Sequence, residues 1–171
     1  MERFTNAVIK SLATENWYSA LSLALTLPDI CGKVEQPEAG SQARYVSWFN
    51  RYILEKYTGY IGPDREEHKF LLAEDCYALR CSYLHEGGGN IEDQRASEAL
   101  DKFHFIIPPD NGIIRHKNQY VRVLQLQIDI FCNDICDAVN DWMTNKVSSN
   151  TEYQDRISKL LVIYDRNNNI V

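Results

Sequence analysis

The chain has 171 residues, 44% of them hydrophobic and 25% charged, which suits one folded domain with its own core. A formal net charge of −6 excludes a protein that coats nucleic acid through a broad basic face, though not a focused site gripping one phosphate. Five cysteines with no basic, apolar leader before them imply reduced thiols in the cytoplasm, and no apolar run approaches the ~20 residues of a membrane span.

In chain order, Phe4, Val8 and Leu12 recur at helical spacing, and Thr14-Glu15-Asn16 reads as a break. From Trp17 the run WYSALSLALTL is apolar on most sides and belongs in the middle of a bundle. Pro28 is expected to kink this helix or open a new turn, with Asp29 as an N-cap and Gly32 as a punctuator. The alternative places Asp29, Lys33 or Glu35 along a cleft near Arg80. A loop at 36–40 precedes Ser41, a candidate cap. The next helix sets Tyr45, Trp48, Phe49, Tyr52 and Ile53 on one face. Gly62-Pro63 marks a turn, and a helix is expected from Arg65 or Glu66 to Gly87-Gly88-Gly89. Pro108-Pro109-Asp110-Asn111-Gly112 lies between β-prone runs, so a hairpin is expected at about 102–117, with His104 and His116 on its two arms. A long helix over about 121–146 and a C-terminal helix over about 151–164 complete the chain, followed by a soft tail at Asn167-Asn168-Asn169. The fold class expected is mainly α, a bundle of four to six helices with a small β-hairpin insertion in a single domain, 1–171.

The helix ending at the glycines carries the chemistry. Leu72, Cys76, Leu79 and Tyr83 form its packing stripe. Arg80 and His85 lie off that stripe, on opposite flanks. Unwinding of the last turn at the glycines would let His85 swing toward Arg80, or toward the same pair in a second subunit. A guanidinium can fork onto a phosphate, and an imidazole moves protons near neutral pH. Together they fit RNA cleavage by attack of a ribose 2′-hydroxyl on the adjacent phosphorus. The competing reading is structural: a helix-end His on the dipole, and an Arg paired with Asp75 or Glu86. Ser82 and Glu86 flank the pair as supporting residues, with Asp29 as a further one. Arg115, His116 and Lys117 form a small basic patch that could hold an RNA backbone.

The arrangement R-C-S-Y-L-H, Arg80 to His85, in a helical setting resembles the HEPN superfamily (higher eukaryotes and prokaryotes nucleotide-binding domains). ALTLPDICGKVE and DCYALRCSYLHEGG also resemble small uncharacterised bacterial proteins of that group, a likeness spanning most of the chain. The resemblance implies a homodimeric, metal-independent endoribonuclease without cofactor, Arg80 holding phosphate and His85 moving the proton. It also implies a toxin or phage-defence setting, with RNA as substrate and an antitoxin or other protein as partner. Where the family usually has a polar residue after the Arg, this chain has Cys81. Some members are non-catalytic, so a helical interaction or nucleotide-sensing module stands as the alternative. The thiols offer no C-x-x-C pair, no metal site is expected, and the role of Asp29-Ile30-Cys31-Gly32 is left open.

Overall fold

Helix α2, Trp17–Glu35, is the element on which the others assemble. It packs against α1 (Glu2–Ala13), α3 (Ser41–Tyr52), α4 (Ala73–Glu86), α5 (Ile128–Trp142) and α6 (Thr151–Ser158). Its apolar residues run around the whole helix, as a central position requires, and Leu25, Leu27, Ala24 and Cys31 are fully buried. The computed structural model describes residues 1–167; Asn168 and Asn169 of the expected soft tail lie outside the described residues.

Pro28 neither ends nor restarts α2: the helix runs through it. An interior proline removes one backbone hydrogen bond and costs about 3 kcal/mol. Burial of this nineteen-residue helix on several sides outweighs that loss. The turn and N-cap expected at Pro28-Asp29 are therefore absent, and Asp29 sits mid-helix. Gly32 has a packing reason, because a Cβ there would stand 2.6 Å from the Arg44 carbonyl oxygen. The missing side chain lets α2 and α3 cross closely.

On α3, Tyr45, Trp48 and Phe49 face the core, and a short 3₁₀ turn, Leu54–Tyr57, buries Tyr57. A helix does not begin at Arg65 or Glu66. Instead β1 (Thr58–Ile61) and β2 (Glu66–Lys69) form an antiparallel hairpin around Gly62 and Arg65, both with positive φ, and α4 starts at Ala73. Leu72 becomes the N-cap of α4, while Cys76 and Leu79 of the expected stripe are buried.

The second sheet replaces the hairpin expected at 102–117. Its strands β3 (Lys102–Ile106), β4 (Asn118–Tyr120) and β5 (Val123–Gln127) lie in the order β3-β5-β4. β3 runs parallel to β5, and the tight antiparallel pair is β4 with β5. Pro108 to Gly112 thus belong to a crossover loop. The reason is the alternation in VLQLQ: Leu124 and Leu126 go inward beside Phe103, a period-2 pattern that suits a strand. The same alternation moves the start of the long helix from about 121 to Ile128. Beyond α5 the chain makes one π turn, Met143–Val147. Asn150 then caps α6, accepting from the Tyr153 amide at 3.1 Å. α6 ends at Ser158, not at 164, leaving Leu161, Ile163 and Tyr164 exposed beyond it.

Six α-helices and two small sheets among the described residues make the domain mainly helical with a real β component. Among those residues no helix is long and apolar enough to cross a membrane.

Candidate functional site

Arg80 is anchored from α2. Asp29 lies one helix position past Pro28, on the side of α2 that meets both α3 and α4, and its side chain is 12% exposed. Oδ2 accepts from Arg80 Nη2 at 3.1 Å and from the Ser41 hydroxyl at 3.0 Å. Oδ1 accepts from Arg44 Nε at 2.6 Å. One carboxylate therefore joins α2, α3 and α4 and holds two guanidiniums, leaving the trio net positive. Arg44 also donates through Nη1 to the Ala39 carbonyl at 3.0 Å. Arg80 lies over the Tyr77 ring at 5.8 Å. Its donors are not used up: Nε is buried without a hydrogen-bond partner, and Nη1 meets only the Cys81 sulfur, at 4.0 Å. Neither Asp75 nor Glu86 is the partner of Arg80. Asp75 is fully buried and accepts from the amides of Glu98, Ala99 and Leu100, closing the loop after α4. Burial, the largest influence on it, raises its pKa even though the amide hydrogen bonds pull it down.

His85 stands apart. α4 stays regular through Glu86, and Gly87 ends it in the left-handed conformation at φ 71°. The unwinding that would carry His85 toward Arg80 does not occur. Five residues on a regular helix place the two side chains about 140° apart around the axis and about 7.5 Å apart along it. The His85 side chain is exposed and makes no hydrogen bond or ion pair among the described residues. Its neighbours serve the fold: the buried Ser82 hydroxyl donates to the Asn90 carbonyl at 2.8 Å, and Glu86 accepts from Gln94 at 3.1 Å.

The basic triplet is split. Arg115 is exposed, but His116 and Lys117 turn inward. The His116 side chain is 5% exposed, with Nδ1 accepting from the Gln127 amide at 3.2 Å and Nε2 lying 4.0 Å from Asp134. Nδ1 is then the unprotonated nitrogen, and burial lowers the pKa of the ring. Lys117 donates to the Lys56 carbonyl at 3.0 Å and lies over the Tyr57 ring. Asp134 completes this latch, accepting from Lys56 at 3.1 Å and from the Tyr57 hydroxyl at 3.1 Å. His116 and Lys117 fasten the sheet to the helices; only Arg115 of the three is presented to solvent. His104, exposed on β3, pairs in register with Gln125 and does not meet His116.

Beside the Asp29 knot a groove of about 460 Å³ opens between α2, the start of α3 and the end of α6. Lys33, Arg44, Arg156 and Lys159 line it, with Asp29 as its one carboxylate and Ile30, Val34 and Leu160 among its apolar walls. Glu35 faces elsewhere, accepting from Trp142 Nε1 at 2.8 Å and the Tyr52 hydroxyl at 2.9 Å. Arg44, Arg156 and Lys159 escape a reading of the sequence because α3, which carries the first, and the end of α6, which carries the other two, lie far apart in the chain and meet only in the fold. The one available signal was Asp29 itself, a carboxylate that follows a long run without charges on α2.

Cys31, Cys76, Cys132 and Cys136 are buried, and Cys81 is half-buried. Burial pushes Cys76 up to about 12 and Cys136 up to about 12, so these thiols keep their protons at neutral pH and are poor ligands and nucleophiles. No group of three or more His, Cys, Asp or Glu side chains is placed to hold a metal ion among the described residues. Comparison with protein-family models, with curated proteins and with solved structures returned no match.

Proposed function

We propose that this chain is a metal-independent endoribonuclease of HEPN type, acting as a homodimer in a toxin or phage-defence role. The observation that carries the reading is the division of labour on α4: Arg80 is fixed by Asp29 with donors to spare, while His85 stands free in solvent. One chain cannot bring both groups to one phosphate across about 140° of helix. The proposed site is therefore composite, with the α4 segments of two copies facing each other. The imidazole of one His85 takes the proton of the ribose 2′-hydroxyl as that oxygen attacks phosphorus. The Arg80 guanidinium bears the charge growing on the phosphoryl oxygens. The bond to the 5′-oxygen breaks, and that oxygen receives a proton from the second His85. The products are a 2′,3′-cyclic phosphate and a free 5′-hydroxyl.

Incubation of varied RNAs with the wild type and His85→Ala in EDTA tests this. The wild type is expected to cut and His85→Ala to lose about 10²-fold or more in rate. Because His85 is exposed and unpartnered, its loss should leave stability within about 0.5 kcal/mol. Persistent cleavage by His85→Ala would sink the reading. A second reading, a non-catalytic interaction or nucleotide-sensing module, is favoured by the engagement of Arg80 with Asp29 and by the thiol beside it at Cys81. In that case the wild type leaves every RNA intact.

A further inference from the structure

We infer that the groove between α2, the start of α3 and the end of α6 is a binding site for a small phosphate monoester carrying an apolar or aromatic body. The argument rests on charge and shape. Around the groove and the knot behind it stand five cations, Lys33, Arg44, Arg80, Arg156 and Lys159. Among the described residues three carboxylates pair with them: Asp29 between the two arginines, Glu152 on Arg156 and Asp155 on Lys159. The cluster is net positive on a chain whose net charge is −6, so its attraction for a dianion is local.

The cations are also available. Lys33 donates to the Pro37 carbonyl, a neutral partner that leaves its charge uncancelled. Lys159 is 69% exposed and paired with Asp155 four residues earlier on the surface of α6, a contact worth little in water and easily exchanged for a phosphate oxygen. Arg156 is held more firmly, donating through Nη1 to the Val34 carbonyl at 2.5 Å, which places a charge at the groove wall. The remaining walls, Ile30, Val34 and Leu160, are apolar and suit an organic body. A space of about 460 Å³ falls in the range of small-molecule pockets. Arg44 belongs both to the groove and to the Asp29 knot, so a ligand drawing on Arg44 acts on the carboxylate that fixes Arg80. His85 takes no part, and the site stands whether or not the chain cuts RNA.

Titration calorimetry of the full chain with phenyl phosphate, inorganic phosphate and phenol tests this. Phenyl phosphate is expected to bind one to one, inorganic phosphate more weakly and phenol not at all, with affinity falling as salt rises. The double variant Lys33→Ala/Lys159→Ala should weaken phenyl phosphate binding by about tenfold or more, because two charge-assisted hydrogen bonds are lost. A circular dichroism melt shows whether that variant is folded. Should it be unfolded, the charge-reversing Lys159→Glu, at an exposed position, replaces it and is expected to weaken binding likewise. No saturable binding of phenyl phosphate, or equal binding by the folded variant, overturns the site. Binding of phenol as tight as that of phenyl phosphate overturns the phosphate, and equal affinity for inorganic phosphate overturns the organic body.

Discussion

Two carboxylates, Asp29 and Asp134, each gather several donors, yet the regions around them differ. Asp134 accepts from Lys56 and Tyr57 and faces His116, and the Tyr57 ring in turn packs against His116 and Phe131. Its network fastens a sheet to a helix. Asp29 holds two guanidiniums, remains net positive, leaves Arg80 Nε unpaired and borders an open groove. The contrast shows that a count of ionic contacts does not tell the two regions apart. Residual positive charge and an open groove alongside set the Asp29 region apart; an unpaired buried donor does not, since His116 Nε2 beside Asp134 is one as well.

Replacement of Asp29 should break this comparison most visibly. Asp29→Ala strands two partly buried cations, and removal of one partner of a buried pair costs roughly 3–5 kcal/mol. With the three side chains 12–19% exposed, water softens the effect, so a loss of about 2–4 kcal/mol in urea unfolding is expected. A loss under about 0.5 kcal/mol would mean that the knot does not hold α2, α3 and α4 together. Asp134→Ala comes next. The Tyr57 hydroxyl loses its acceptor, at an expected cost of about 1–3 kcal/mol, read from the same denaturation curves. Neither RNA cleavage nor phenyl phosphate binding should change once the folded fraction is corrected for. A selective loss of either would move function to the latch.

The smallest effect is a slope with pH. Burial lowers the folded-state pKa of His116 below its unfolded value of about 6.5. As pH falls below about 6.5 the unfolded chain takes up the proton first, so this residue's contribution to stability is lost toward acid and restored above that pH. Thermal melts of the wild type from pH 7.5 to 5 should show the decline, and His116→Gln should flatten it. An identical slope in both proteins would refute the assignment. The Asp29 region, which contains no histidine, should leave this slope unaltered when mutated.

The sequence foretold those features whose cause lies within a few residues. The apolar circumference of α2, the aromatic face of α3 and the stop at Gly87 each follow from spacing or from a glycine at positive φ. It misled where a local signal was real but outvoted. Pro28 announces a break, yet the helix continues because its burial outweighs one missing hydrogen bond. Pro108 to Gly112 announce a turn between paired strands, yet the partner of β3 is β5, because Leu124 and Leu126 supply its buried face. Arg115-His116-Lys117 suggests a basic surface, yet two of the three side chains are consumed by Tyr57, Lys56 and Gln127.

What the sequence determined by itself is the helical character of the chain, and that α4 carries an Arg and a His on different flanks, because helix periodicity is local. Only the tertiary structure decided that Asp29 is the hub of Arg44 and Arg80, that His85 is left free, and that cations from α2, α3 and α6 share one groove. Charge interactions act through space between helices distant in the chain, and no spacing rule along the chain encodes which of them will meet.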